Sequence, residues 1–210
     1  MATSVEKVLQ EVRNLQRSEI AEVAEAFDTK KQVGSSTMAH KRNPITAENA
    51  CGLARIVRSM IVPSYENALL WHERDLANSS AERFTLSHSM VLLDDIIIKT
   101  IRVMGNLSVD AERMRENIES QNGMVMAEKV MLALVEKGVS REEAHEILRA
   151  ASMQAISDGQ GLHAACSNDE IVSSLFNDAE LVDLFVPEGH IGHSGRIVDE
   201  AISRAKSVIG

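Results

Sequence analysis

An all-α fold is what this 210-residue sequence predicts, and three observations carry the prediction. Helix formers dominate: Ala, Glu, Leu, Met and Arg are plentiful, against only three prolines and one tyrosine. Apolar side chains recur at three- and four-residue spacing over long stretches, the period of a helix with one buried face. No segment shows the alternation of a half-buried strand, and none repeats. A hydrophobic content of 44% with 25% charged residues is that of a globular protein with a sizeable core.

The elements follow in order. From Ser4 to Phe27, the residues Val5, Val8, Leu9, Val12, Leu15, Ile20, Val23 and Phe27 mark one amphipathic helix. A polar loop runs from about Asp28 to Ile45. Thr46 suits an N-cap for a helix from Ala47 to Leu70, which Pro63 should kink because proline lacks an N–H and clashes with the preceding turn. After a polar segment from Trp71 to Ser80, a long helix is predicted from about Ala81 to Asn106. Val91-Leu92-Leu93 and Ile96-Ile97-Ile98 make it apolar nearly all round, so it belongs in the middle of a bundle.

Shorter helices are predicted at 110–119, 124–137, 140–158 and 167–184, with Ser140 and Glu143 forming a capping box after Gly138. Ser194 should cap a last helix ending near Val208. The expected organisation is a long-helix bundle segment over 1–107, containing the loop 28–46, and then a smaller helical C-terminal domain over 108–210. One chain of this size offers only three long apolar helices. Helices of other subunits are expected to cover them, in a homo-oligomer.

Charge and cysteine usage narrow the function. The formal net charge is −9, yet from Thr29 to Arg58 six cations (Lys30, Lys31, Lys41, Arg42, Arg55, Arg58) face the single carboxylate Glu48. A basic island in an acidic protein suggests a specific anionic ligand; with aromatic residues at only 3%, nucleic acid is not expected. Cys51 and Cys166 have no metal-ligand spacing and fit reduced thiols in the cytoplasm. The first ten residues lack the apolar core of a signal peptide, and no run of about 18 apolar residues predicts a membrane span.

The segment Gly34-Ser35-Ser36-Thr37-Met38-Ala39-His40-Lys41-Arg42-Asn43-Pro44 carries the most chemistry. It is a polar loop between good helices, where a rigid scaffold can hold reactive groups. A serine there could accept a proton once its alkoxide is stabilised by a neighbouring lysine and backbone N–H groups, while lysine, arginine and asparagine hold an anion. Ser35-Ser36 also fits a turn or helix-cap pair, and Lys41-Arg42 a solvated pair. A second cluster runs from Trp71 to Arg83, where Arg74 and Arg83 flank Ser79 and Ser80. Guanidinium forks and hydroxyls suit a phosphate or carboxylate, although the cluster also fits a surface linker.

Together the two clusters resemble the fumarase/aspartase superfamily. The loop GSSTMAHKRNPITAE is similar to its signature, and WHERDLANSSAER and GMVMAEKVMLALVEKGVSREEAHEIL resemble its adenylosuccinate lyase branch. The resemblance implies an enzyme that eliminates fumarate from adenylosuccinate, giving AMP, and from the succinyl-carboxamide ribotide of purine synthesis. It implies a homotetramer whose sites draw on several subunits, and no metal or organic cofactor. Ser35 matches the base. Lys41 and Asn43 match residues that hold the succinyl carboxylates and the carbanion charge, with Ser36 and Met38 beside them in the substrate loop. Glu48 matches an active-site glutamate. Arg74, Ser79 and Arg83 match contacts to the nucleotide or its phosphate.

Two departures from the family pattern stand out. Ala39 replaces the usual proline after the loop methionine. The family's chains are also roughly twice as long, and none of the seven histidines here matches by motif those of the family's N-terminal half. The chain is therefore expected to correspond to the C-terminal half and to be nearly inactive by itself. Other expectations remain open: a carboxymuconate cycloisomerase of the same superfamily, or a non-catalytic helical assembly module. His190-Ile191-Gly192-His193 spells a nucleotide-binding tetrapeptide of certain synthetases, but without a preceding strand it fits a polar turn. Met124, Met126 and Met131 fit a helical core.

Overall fold

The computed structural model describes residues 1–26, 42–73 and 75–209. Among them helices predominate, and the chain divides into two compact units, Met1–Met114 and Arg115–Gly210.

In the first unit, α1 (Ala2–Leu15), α2 (Ile45–Ser59) and α4 (Ala77–Gly105) pack on one another, and the short α3 (Ile61–Glu66) lies against α4. The shared core sets Leu9 and Val12 of α1 and Ile96 and Val103 of α4 against Ala47, Ala50, Cys51 and Ala54 of α2. Alanines three and four residues apart give α2 a flat face that its neighbours approach closely. Glu6 of α1 pairs with Arg58 and, at 3.8 Å, with Arg55 of α2.

The helix expected over Ser4–Phe27 ends at Leu15; Phe27 itself lies outside the described residues. After Leu15 the chain turns through Ala21 in the left-handed region (φ 56°), and Val23–Ala24 forms β1. This pairs antiparallel with β2 (Ser108–Val109), Val23 opposite Val109 and Ala24 opposite Ser108. A pairing between segments so far apart in sequence leaves no local signal. Pro63 does end a helix, but one turn early: it cannot donate to the carbonyl of Ser59, so the helix breaks at Met60 and restarts with Pro63 in its first turn. The long helix α4 begins at Ala77, four residues before the expected start.

Across the boundary between the units lies α5 (Ala111–Glu119). The second unit continues with a 3-10 turn (Met124–Met126), α6 (Ala127–Glu136) and α7 (Arg141–Asp158), where Ser140 accepts the N–H of Glu143. The expected helix over 167–184 is instead three: α8 (Leu162–Asn168), α9 (Glu170–Leu175) and α10 (Asp178–Leu184). Asp169 accepts the N–H groups of Ile171 and Val172, and Asn177 exchanges hydrogen bonds with Glu180 in a full capping box. Each cap starts a new helix and so breaks the old one.

Val130, Leu134, Ile147, Leu148, Leu162, Cys166, Val172, Phe176 and Leu181 form the core of this unit, with Met126 buried beside them and Met124 and Met131 packed against them. His190 closes a 3-10 turn over Pro187–His190, with no strand before it. Ser194, whose Oγ donates to the carbonyl of Ile191, opens α11 (Ser194–Ile209). No helix among the described residues is long and apolar enough to cross a membrane.

Candidate active site

The first unit contains a cavity of about 1030 Å³ beside the start of α2. It is lined by Arg13, Asn14, Arg17 and Glu25 on one side and by Arg42, Asn43, Pro44 and Glu48 on the other. Asn43 is half-buried and immediately precedes the helix. Glu48 is exposed in its first turn, where the positive end of the helix dipole favours a carboxylate. Two of the expected site residues are thus brought to one opening.

Around them sit three guanidinium groups. Arg13 Nη1 donates to Gln10 at 2.7 Å, while its Nε is buried with no partner among the described residues; Arg17 Nε donates to the carbonyl of Asn14 at 3.3 Å. With Arg42 they make a cationic rim that suits a multiply charged acid. Arg13 and Arg17 were not singled out from the sequence. They lie in an ordinary amphipathic helix, and only the fold carries them to the stretch around Asn43.

Ser35, Ser36, Met38, Lys41 and Arg74 lie outside the described residues. Ser79 and Arg83 are described and stand one turn apart on one face of α4, Ser79 half-buried and Arg83 exposed. Neither lines the cavity that holds Asn43 and Glu48.

The second cluster has an organiser that sequence reasoning missed. Asp75 accepts the N–H of Trp71 on one oxygen and that of Ala77 on the other, each at 2.8 Å. The Trp71 and then the Ala77 hydrogen bond hold its carboxyl below the ordinary 3.8. Asp75 therefore ties the turn through His72, itself left-handed at φ 51°, to the first residue of α4. Among the described residues no three His, Cys, Asp or Glu side chains group as a metal site.

Comparison with known proteins finds relatives along the whole chain. A family model for the adenylosuccinate lyase C-terminus matches residues 123–201, and a broader lyase model matches residues 1–59. The chain is 44% identical over 209 residues to an adenylosuccinate lyase of Archaeoglobus fulgidus, covering 100% of this chain and 47% of that protein. It is 41% identical to that of Methanothermobacter thermautotrophicus, covering 98% of this chain and 46% of the relative. The chain thus spans about half the length of the curated relatives it matches.

Among solved structures, a 3-carboxy-cis,cis-muconate lactonizing enzyme from Pseudomonas putida superimposes with a TM-score of 0.84 at 28% identity, over 100% of this chain and 45% of that one. A fumarate lyase from Mesorhizobium gives 0.83 at 26% identity, over 96% and 44%. The two family models, at opposite ends of the chain, and the relatives matched along its length agree: the chain is similar throughout to adenylosuccinate lyases, and residues 123–201 match that family's C-terminal segment.

Proposed function

We propose that this chain supplies the C-terminal half of an adenylosuccinate lyase, a carbon–nitrogen lyase that eliminates fumarate from adenylosuccinate and from the succinyl-carboxamide ribotide. The observation that carries the reading is 44% identity to such a lyase along the whole chain, across both polar clusters.

In this mechanism Ser35 takes the proton from the carbon beside a succinyl carboxylate, Lys41 and Asn43 stabilise the charge that develops there, and the C–N bond then breaks with its electron pair leaving on nitrogen, which an acid of the N-terminal half protonates. Ser36 and Met38 shape the substrate loop beside them. Glu48 acts at the mouth of the same cavity. Arg74, Ser79 and Arg83 hold the purine nucleotide phosphate. Ser79 and Arg83 stand apart from the cavity of Asn43 and Glu48, which supports a site completed by another copy of the chain. The proposed assembly is a cytoplasmic homotetramer, a form that would also cover the apolar face of α4.

The test mixes the 210-residue chain with a separately made N-terminal half of an archaeal relative. Lyase activity should appear on mixing, while the chain alone turns over little. Ser35→Ala should lower kcat by about 10²–10⁴-fold with substrate binding nearly unchanged. Arg74→Ala or Arg83→Ala should weaken binding by roughly one to two decades, the loss of a charge-assisted contact of about 1.5–3 kcal/mol. Normal turnover by Ser35→Ala would reject the base assignment and turn attention to Ser36.

A cycloisomerase reading draws on the TM-score of 0.84 to the Pseudomonas enzyme. Its 28% identity is well below the 44% to the archaeal lyase, which favours the nucleotide substrate. Binding of AMP by the mixed protein would separate the two.

A further inference from the structure

The signature loop leaves and rejoins the scaffold at two places that one side chain holds together. Gln16 follows α1 directly. Its Oε1 accepts the N–H of Glu25 at 2.8 Å, and its Nε2 donates to the carbonyl of Arg42 at 3.2 Å. Backbone on both sides of residues 27–41 is therefore tied to a single amide.

Glu25 continues the connection. Only 9% exposed, it accepts the N–H of Thr46 on Oε1 at 3.2 Å and that of Ala47 on Oε2 at 3.1 Å. These are two of the N–H groups that the first turn of α2 cannot satisfy internally, and Pro44 offers no side-chain cap of its own. Glu25 thus caps α2 from twenty residues upstream, with its negative charge at the favourable end of the helix dipole. The β1–β2 pairing explains how it stays in place. Val23 and Ala24 are fixed against Val109 and Ser108 immediately before Glu25, which gives a two-residue sheet a task in a helical protein.

We propose that Gln16 and Glu25 are positioning residues of the candidate active site. They orient the first turn of α2, and with it Asn43 and Glu48, against the backbone that enters the signature loop. Neither needs to touch substrate. The catalytic arm of the test rests on the lyase reading; the structural arm does not.

The structural arm is amide hydrogen exchange by NMR on the 210-residue chain. In Glu25→Ala the amides of Thr46 and Ala47 should exchange about tenfold faster or more, the loss of roughly one net hydrogen bond each, while Ala54 in mid-α2 is unchanged. Glu25→Gln keeps one acceptor oxygen and should restore protection in part. Gln16→Leu should speed exchange at Glu25 and leave Ala54 alone. Unchanged Thr46 and Ala47 amides in Glu25→Ala would overturn the proposal. So would uniform loss of protection along α2 in all three variants, which would mean a general stabilising role.

The catalytic arm uses the mixed, active protein. Glu25→Gln should lower kcat about tenfold, with KM within about twofold. An equal fall in kcat/KM carried by KM alone would contradict positioning of reacting groups. If the unsubstituted mixture shows no lyase activity, the functional reading fails and the exchange data still decide the structural claim.

Discussion

Among the described residues, the buried core of residues 115–210 sets eight larger apolar side chains among five alanines, whereas that of residues 1–114 sets only four among four. Leu134, Leu162, Val130 and Val172 are fully buried in the former, with Ile147, Leu148, Phe176 and Leu181 nearly so. In the latter, Ala2, Ala47, Ala50 and Ala54 share the interior with Leu9, Val12, Ile96 and Val103. Alanine lets helices approach closely but removes little apolar area from water.

The long helix shows the consequence. Of its 29 residues only Thr85, Ile96 and Val103 are buried, while Met90, Val91 and Ile101 are each about two-thirds exposed. The first unit thus presents a broad apolar surface along its longest helix. The second unit also exposes apolar side chains, among them Met153 and Ile156 of α7 and Ile197, Val198 and Ile202 of α11.

Four experiments would break or sharpen this contrast. The largest effect should come from separating the regions. A chain of residues 115–210 should melt cooperatively by circular dichroism, whereas residues 1–114 alone should bind hydrophobic dyes and melt broadly. Comparable cooperative melting of both would end the contrast. Next, Leu134→Ala should cost about 2–5 kcal/mol in denaturant unfolding, because it leaves a cavity in a fully packed core. The first unit should instead be sensitive to enlargement: Ala54→Leu should cost about 1–3 kcal/mol by forcing α2 off its neighbours.

Third, Ile101→Asp should change the stability of the dissociated chain by no more than about 0.5 kcal/mol, since the residue is exposed there. In the proposed tetramer the same charge should be buried, so sedimentation at micromolar concentration should show a fall in mass. The smallest effect is confined to alkaline pH. Burial pushes the Cys166 thiol up from 9.0 to about 11, with a minor contribution from Asp169. The fold therefore holds this proton more tightly than the unfolded chain does. The stability it contributes is complete below about pH 9 and is lost as pH rises through about 11. Cys166→Ala should flatten that slope in denaturation followed from pH 8 to 11.

Much of the helical architecture could be read from the chain, because periodicity and caps are local. Ser140 with Glu143 marked the start of α7 correctly. Asp169 and Asn177 were equally local signals for two further helix starts, and continuous apolar spacing masked them. What the sequence could not disclose depends on distant partners. The end of α1 rests on the pairing of β1 with β2, roughly 85 residues away. At the site, the motif singled out Asn43 and Glu48, but Gln16, Glu25, Arg13 and Arg17 join them only through folding. No spacing rule connects a glutamate to a helix that starts twenty residues later.

That remote cap has a consequence for how such a protein can change. A helix capped by its own flanking residues shifts when the preceding loop is lengthened or shortened. Here the cap on α2 and the bridge to Arg42 both come from residues that precede the loop. The stretch between them is a cassette with fixed terminals. Residues inserted between Glu25 and Arg42 should therefore leave the register of α2, and with it Asn43 and Glu48 on the cavity wall, where they are.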